Sequence, residues 1–142
     1  MENDLFVVFR LGEEEYAVNT AFVKEIDRMN EININIVPAV PPYIEGIVNL
    51  RGDVVPVIDP KKKFGLEQSV EGKKQRIIIL NMQQYLLGIL VDSVSNSVCL
   101  SESDLLPPTD DMLKETPYIK AIARTEDRMM FILDVNVLSE PT

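Results

Sequence analysis

The apolar residues of this chain fall into short runs that are separated by polar turns. Most runs are rich in valine and isoleucine and are bounded by glycine, proline, asparagine or aspartate, which is typical of β-strands. The pattern therefore predicts roughly ten strands and almost no helix. The predicted strands cover residues 5–9, 16–18, 22–26, 32–36, 44–50, 54–58, 76–80, 85–91, 94–100, 119–123 and 129–133.

Several segments carry finer predictions. Residues 22–26 have the mixed apolar spacing of a short helical turn that runs into a strand. Residues 32–36 alternate strictly between isoleucine and asparagine, so one face of a strand should be buried there. Residues 61–64 can form one helical turn that Gly65 would end. A capped turn and loop at residues 101–110 and a short terminal helix at residues 136–140 complete the prediction.

The polar residues 67–74 are the best candidate for a connector between two parts of the chain. They divide the predicted strands about equally, with roughly five on each side. Five strands can close into a small barrel, and closure removes the unpaired edges through which sheets aggregate. The sequence therefore predicts an all-β fold made of two small closed barrels.

The most informative stretch is residues 44–58, in which two β-rich runs flank Arg51, Gly52 and Asp53. The Gly-Asp step predicts a tight hairpin. It places Asn49 and Arg51 at the end of a buried element, where the five donors of the arginine can hold carbonyls or carboxylates. Two interpretations stay open: these side chains only brace the hairpin, or they contact a partner.

Composition and charge limit the possible functions. The chain is 46% hydrophobic and 26% charged, as expected of a globular domain, and its 14 basic and 23 acidic residues give a net charge of −9. An acidic chain is poorly suited to nucleic acid or anionic lipid, so we expect no nucleic-acid binding and no direct membrane contact. Because no signal peptide and no apolar run of about 20 residues is visible, we expect a cytoplasmic protein.

Histidine is absent, and Cys99 is the single cysteine. The chain therefore lacks the usual base of serine and cysteine hydrolases and the commonest zinc ligand. Cys99 lies in an apolar run and is predicted to be a small buried residue rather than a reactive thiol. We expect no enzymatic activity, no metal site and no cofactor.

Runs of like charge offer little chemistry. Carboxylates cluster at residues 13–15 and 110–111, both in turn-like segments, which favours solvated surface over acid–base catalysis. The basic run at residues 61–63 is short and lies in an acidic chain. We interpret it as a solvated turn, with docking to an acidic partner as the alternative.

Several motifs follow one another in a fixed order. Residues 44–52 read Ile-Glu-Gly-Ile-Val-Asn-Leu-Arg-Gly, residues 55–59 read Val-Pro-Val-Ile-Asp, and residues 88–94 read Gly-Ile-Leu-Val-Asp-Ser-Val. Together with Phe-Arg-Leu-Gly at residues 9–12 and Asp-Arg at residues 127–128, they resemble the CheW family of chemotaxis coupling proteins. The resemblance extends over nearly the whole chain, and residues 46–52 followed by 55–59 are its most specific part.

The resemblance implies a pair of five-stranded SH3-like barrels. It places residues 11–75 in the first barrel and residues 4–10 together with 76–140 in the second. It also implies an adaptor that works by binding: proteins of this family bind the regulatory domain of the histidine kinase CheA and the helical tip of chemoreceptors.

The resemblance also suggests the residues of each contact. Those expected at the kinase contact and in coupling are Val23, Glu25, Ile26, Gly46, Asn49 and Arg51. Those expected in the receptor groove are Val94, Ser97 and Ala121. The chain departs from the family pattern at Pro60 and Lys61, where leucine and arginine are frequent, and Lys61 lacks the bidentate geometry of an arginine.

Two other functions remain open on the sequence alone. A CheW-like adaptor could serve a motility or second-messenger pathway with its own kinase, which neighbouring genes would reveal. An alternative of a different class is an enzyme that uses carboxylates in a β-barrel cleft. A metal or nucleotide bound to the purified protein would favour the enzyme.

Overall fold

The computed structural model describes residues 4–66, 74–125 and 127–138. Strands dominate this part of the chain, and the helices are short. The strands are β1 (Asp4–Leu11), β2 (Glu14–Asn19), β3 (Val23–Arg28), β4 (Ile44–Leu50), β5 (Asp53–Ile58), β6 (Arg76–Asn81), β7 (Leu86–Val91), β8 (Ser93–Val94), β9 (Val98–Leu100), β10 (Leu105–Leu106), β11 (Ile119–Arg124) and β12 (Met129–Leu133). The α-helices are α1 (Pro60–Phe64), α2 (Asp110–Glu115) and α3 (Val135–Leu138).

The strands form two sheets. The larger has seven strands in the order β10-β11-β12-β2-β1-β8, with β9 also paired to β1, and the smaller has five in the order β3-β6-β7-β5-β4. Neighbouring strands are antiparallel except for the parallel pairs β12–β2 and β5–β7. The predicted all-β class with two β units and few short helices is confirmed, although the sheets hold seven and five strands where five and five were expected.

The two sheets divide the chain differently from the predicted barrels. Residues 14–19 form a hairpin with β1 in the larger sheet, and residues 76–91 supply two of the three inner strands of the smaller one. The predicted ranges 11–75 and 4–10 with 76–140 therefore do not coincide with the sheets. The reason is that the chain returns to the smaller sheet after residues 67–73, which lie outside the described residues.

Strand β1 shows why many apolar runs do not alternate. Its residues Val7 and Phe9 point into a central core between the two sheets, whereas Phe6 and Val8 point into a core enclosed by the larger sheet. Residues from both ends of that sheet, Leu105 in β10 among them, pack on the enclosed core, so the sheet curls around it. A strand between two cores is apolar on both faces.

Strand β6 of the smaller sheet likewise lies between two cores. Ile78 and Leu80 face the central core, while Ile77 and Ile79 face a second enclosed core. Each of these four side chains is fully buried, which contributes about 1.5–3 kcal/mol per residue relative to exposure. The central core joins the two sheets into one body.

Two predicted strands differ from the structure. Residues 32–36 form no strand, and Asn35 makes only an isolated bridge to Ile47. Ile32 and Ile34 pack on the enclosed core of the smaller sheet, whereas Ile36 is exposed. The alternation of isoleucine and asparagine in this segment reflects which side chains are buried. It does not require the segment to pair with a neighbouring strand along its whole length. The predicted strand 94–100 is split into β8 and β9 by an exposed step at residues 95–97.

Several local predictions are confirmed. Residues 20–22 form a 3₁₀ turn that runs into β3, and α1 ends at Gly65, whose φ of 71° is left-handed. A capped 3₁₀ turn occupies residues 102–104. The terminal helix is present as α3, and residues 139–140 of its predicted span lie outside the described part. Helix α2 was not expected; Thr109 caps it by accepting from the backbone N–H of Met112 at 3.2 Å.

Candidate functional site

The edge strand β3 carries a β-bulge that sets the direction of its side chains. Val23 pairs with Leu80 of β6, but Glu25 pairs with Ile79, so Lys24 is the extra residue. Bulges re-aim the residues around them. Here the bulge leaves Val23 against the central core. It turns Glu25 towards the face of the smaller sheet that carries the enclosed core, on which Ile79 also lies.

The same register places the next two residues of β3. Ile26 pairs with Ile78 and is exposed, while Asp27 pairs with Ile77 and is partly buried. Glu25 and Asp27 therefore lie on one face of the strand, two residues apart. Charged side chains that point inward on an edge strand also protect that edge from pairing with another chain.

The hairpin between β4 and β5 turns through Arg51 and Gly52. Their φ angles of 50° and 93° are both positive, as in a type I′ turn, where Asn-Gly is the preferred sequence. Asn49 stabilises the turn because its Oδ1 accepts from the backbone N–H of Gly52 at 3.1 Å. An arginine in the left-handed region costs roughly 1–2 kcal/mol relative to glycine, so the backbone alone does not explain Arg51.

Arg51 forms an ion pair with Glu25, in which Nη2 of the arginine donates to Oε1 of the glutamate. The pair joins the β4–β5 turn to β3, and these elements lie at opposite sides of the smaller sheet. The arginine side chain is 69% exposed and the glutamate side chain 20% exposed. Two residues that the sequence predicted at the kinase contact are thus brought together, with the guanidinium still open to solvent.

Asp27 extends this charged group. Burial of its carboxyl, its hydrogen bond with Glu25 and the charge of Glu25 raise the pKa of Asp27 to about 6; Glu31 also raises it and Arg51 lowers it. The described residues offer no donor to Asp27 Oδ2, which is buried. Because two carboxylates can share a hydrogen bond only through a proton, this contact favours the protonated form of Asp27, in line with its raised pKa.

Gly46 has a structural reason for being glycine. Its φ is 153°, and a Cβ at this position would overlap the carbonyl oxygen of Asn35 and lie 2.7 Å from Ile34 Cγ2. Asn35 and Ile47 exchange backbone hydrogen bonds of 2.8 Å, so this close approach fixes residues 29–36 along the outer edge of β4. Gly46 therefore allows this segment to approach β4 closely.

Three residues next to the ion pair form a shallow concave surface. Val54 is 65% exposed, Tyr85 is exposed, and Lys24 lies beside them around a concavity of about 390 Å³. Val54 pairs with Asn49 across the hairpin, and Asp53 also lines the concavity, so the concavity adjoins the β4–β5 turn. We call Lys24, Glu25, Arg51, Val54 and Tyr85 the hairpin surface.

The basic run at residues 61–63 is not a solvated turn, so that prediction was wrong. Lys61, 4% exposed, lies 2.6 Å from Asp92 Oδ1, and Asp92 Oδ2 accepts from the backbone N–H of Gly12 at 2.7 Å. Lys63 donates to the carbonyl of Leu138 at 3.0 Å. The bonds of Lys61 and Lys63 tie α1 to segments that flank both sheets.

The predicted receptor residues lie in three different settings. Val94 pairs with Phe9 and packs on the central core, Ser97 is exposed between β8 and β9, and Ala121 of β11 packs on the core of the larger sheet. Ala121 lines a cleft on the larger sheet.

A cleft of about 210 Å³ opens beside Ala121. Its apolar wall includes Phe6, Phe22, Leu105 and Ile132, and the exposed ring of Phe22 comes from the 3₁₀ turn before β3. The polar residues at the cleft are Asp4, Asn19, Lys120, Asp134 and Asn136. An apolar floor with a mixed polar rim suits one side of an amphipathic helix.

A sequence model of the family described as CheW-like domain matches residues 5–141. The chain belongs to the CheW-like family. The resemblance drawn from the sequence is thereby confirmed, together with the chemotaxis adaptor role that it implied.

Individual relatives agree with this assignment. The chain is 33% identical to the chemotaxis protein CheW of Bacillus subtilis over 93% of this chain and 84% of the relative. It is 31% identical to CheW of Klebsiella aerogenes over 94% and 80%. The crystal structure of the scaffolding protein TtCheW from Thermoanaerobacter tengcongensis superposes with a TM-score of 0.92 at 35% identity, over 99% of this chain and 95% of TtCheW.

Several residues of the candidate surfaces carry no recognised motif in the sequence of this CheW-like chain: Asp27, Val54, Tyr85 and Phe22. The spacing of Asp27 from Glu25 was a usable signal, since carboxylates two apart in a strand share a face. Tyr85 and Phe22 gave no such signal, because an aromatic residue next to a strand is usually buried.

The prediction that Cys99 is buried was wrong. Cys99 lies between Val98 and Leu100, which both pack on the core of the larger sheet, so the thiol points outward. Among the described residues, no group of three or more carboxylate or cysteine side chains could hold a metal ion. No helix in the described ranges is long and apolar enough to cross a membrane.

Proposed function

We propose that this CheW-like chain is a cytoplasmic scaffold that binds the regulatory domain of a CheA kinase and the helical tip of a chemoreceptor at the same time. It acts by adding interfaces and needs no catalytic group or cofactor. The observation that carries the proposal is the presence of two separate surfaces of mixed apolar and polar character, one on each sheet.

The hairpin surface is proposed to bind the kinase. Tyrosine and arginine are enriched at the centres of protein interfaces, and exposed Tyr85 and Arg51 lie on this surface with Val54. The ion pair with Glu25 holds the guanidinium at the β4–β5 turn, which limits the entropy lost when a partner binds. Val23, Ile26, Gly46 and Asn49 support this surface or border it.

The cleft beside Ala121 is proposed to bind the receptor. A receptor tip that is an α-helical hairpin presents apolar side chains three and four residues apart, and such a face fits an apolar groove. Phe22 and Leu105 offer apolar contact in the cleft, while Lys120 and Asp134 offer charges of both signs at its rim. Val94 and Ser97 then belong to a wider receptor surface outside the cleft itself.

Holding two partners explains how such a scaffold passes on a signal. Once one partner is bound, the second binds as if from a high local concentration, so two modest affinities give a stable assembly. A receptor change that alters the fit at the cleft shifts the shared binding equilibrium, and linkage requires the kinase contact to respond.

Two matched variants test the proposal. Val54→Asp changes an exposed residue of the hairpin surface, and Phe22→Ala removes the exposed aromatic ring of the cleft. Calorimetry with a purified CheA regulatory domain and a receptor tip fragment should show that Val54→Asp weakens kinase binding alone and Phe22→Ala weakens receptor binding alone. Failure of the unmodified chain to bind either partner would contradict the proposal.

A further inference from the structure

The charged group at β3 combines two carboxylates of the strand with a guanidinium from the hairpin turn. Glu25 and Asp27 share a face of β3, and their partners in β6, Ile79 and Ile77, are fully buried and apolar. The other charges that act on Asp27 are Arg51 from the hairpin turn and Glu31 from the 3₁₀ turn after β3. Glu31 also pairs with Arg28, at 3.8 Å between Oε1 and Nη1, so the carboxylates left to Arg51 are those of Glu25 and Asp27.

An ionised Asp27 would be poorly satisfied in this setting. Its Oδ2 is buried and meets no donor in the described part of the chain, and an unpaired buried polar atom is costly. A proton on Asp27 removes this cost, because the hydroxyl can then donate to the neighbouring carboxylate of Glu25. The bond leaves Glu25 ionised and available to Arg51.

We propose that Asp27 is a positioning residue of the hairpin surface: protonated, it donates to Glu25 and holds that carboxylate against Arg51, and ionised, it competes with Glu25 for the same guanidinium. The effect on kinase binding rests on the function proposed above. The proton comes from solvent, so the arrangement makes the kinase contact sensitive to pH.

The geometry of the β4–β5 hairpin limits how Arg51 can respond when Asp27 gains or loses its proton. The backbone of Arg51 is fixed in a left-handed conformation, and Asn49 holds the turn through Gly52. The arginine side chain, which is 69% exposed, is therefore the part of the turn that can respond to the charge of Asp27. With the pKa of Asp27 raised to about 6, its charge changes mainly between about pH 5 and 7.

The test uses the full chain and a purified CheA regulatory domain. In Asp27→Asn the amide can donate to Glu25 at every pH, and Asp111→Asn is a matched control that removes one exposed carboxylate from α2, outside the hairpin surface. The affinity of the unmodified chain is expected to fall about fivefold from pH 5.5 to 7.5. Asp27→Asn should keep the low-pH affinity throughout, and Asp111→Asn should follow the unmodified chain.

A titration of the free protein separates this inference from the proposed function. Carbon-13 NMR of the Asp27 carboxyl should give a midpoint near 6, with a simultaneous shift of the Arg51 side-chain signals. A midpoint near the ordinary aspartate value, or an Asp27→Asn affinity that falls in parallel with the unmodified chain, would overturn the inference. If the unmodified chain bound no kinase domain at any pH, the proposed function would fail, and the titration would still decide the role of Asp27.

Discussion

Two ion pairs of this chain resemble each other in composition and differ in setting. Lys61 and Asp92 are 4% and 16% exposed and connect α1 with the segment after β7, where Asp92 also accepts from Gly12. Arg51 is 69% exposed and contacts Glu25 at the rim of the smaller sheet. The first pair is enclosed where the two sheets meet, and the second lies on the surface.

The difference indicates which charges serve the fold and which serve a partner. Breaking a buried pair leaves an uncompensated charge in a low-dielectric site, whereas an exposed pair contributes at most about 1 kcal/mol. The lysine run that looks solvated in the sequence is thus structural. The arginine of the signature hairpin contributes little to stability, in keeping with the role in kinase binding proposed for it.

The largest effect on stability is expected for Lys61→Met. The substitution keeps an apolar stem of similar length but leaves Asp92 without its cation, so the free energy of unfolding should fall by about 3 kcal/mol. Urea unfolding followed by circular dichroism measures this change.

Lys62→Met is the control for that experiment, since Lys62 pairs with Glu45 at 2.9 Å and is 42% exposed. It should change stability by less than about 1 kcal/mol. Equal losses for the two variants would mean that burial does not distinguish these pairs.

A second large effect is expected for Gly46→Ala. The new Cβ would overlap Asn35 and the residue would be forced into a conformation that side chains rarely adopt, at a cost of about 2–3 kcal/mol. Thermal unfolding should show the loss, and kinase binding should weaken with it because residues 29–36 shift. Full stability with impaired binding would instead make Gly46 a contact residue.

Asp27→Asn should stabilise the protein in a pH-dependent way. The pKa of Asp27 is raised from 3.8 to about 6 on folding, so the native state binds the proton more tightly and stability falls as pH rises between these values. Asp27→Asn does not lose stability in this pH range, because its amide does not titrate. Its advantage should be absent below about pH 4 and reach about 1–2 kcal/mol above pH 6, after allowance for partial solvent screening.

Urea unfolding of both proteins at pH 4, 6 and 8 measures that difference. An advantage that is equal at pH 4 and pH 8 would show that the gain comes from packing and not from titration.

Much of the fold could be predicted because its signals are local. The Gly-Asp step at the β4–β5 turn, the mixed spacing before β3 and the glycine after α1 each depend on residues within a few positions of one another. The division of the predicted strands at residues 67–74 and the family motifs both predicted the two-part architecture. Turn chemistry and apolar runs therefore gave the elements and the fold class.

The predictions that failed concern contacts between residues that are distant in sequence. Nothing near residues 61–63 reveals Asp92, which is 31 positions away from Lys61. The alternation at residues 32–36 cannot tell that only Asn35 finds a strand neighbour. The bulge at Lys24, which turns Glu25 towards Arg51, likewise depends on the register with β6. Tertiary pairing decided each of these cases.

The role assigned to Arg51 is tested most directly by Arg51→Gly, for which the smallest change in stability is expected. Glycine adopts the left-handed turn more readily than arginine, which offsets the lost ion pair, so the free energy of unfolding should stay within about 0.5 kcal/mol of the unmodified chain. Calorimetry with the CheA regulatory domain should show an affinity at least about tenfold lower. Unchanged affinity, or loss of the cooperative unfolding transition, would contradict that role.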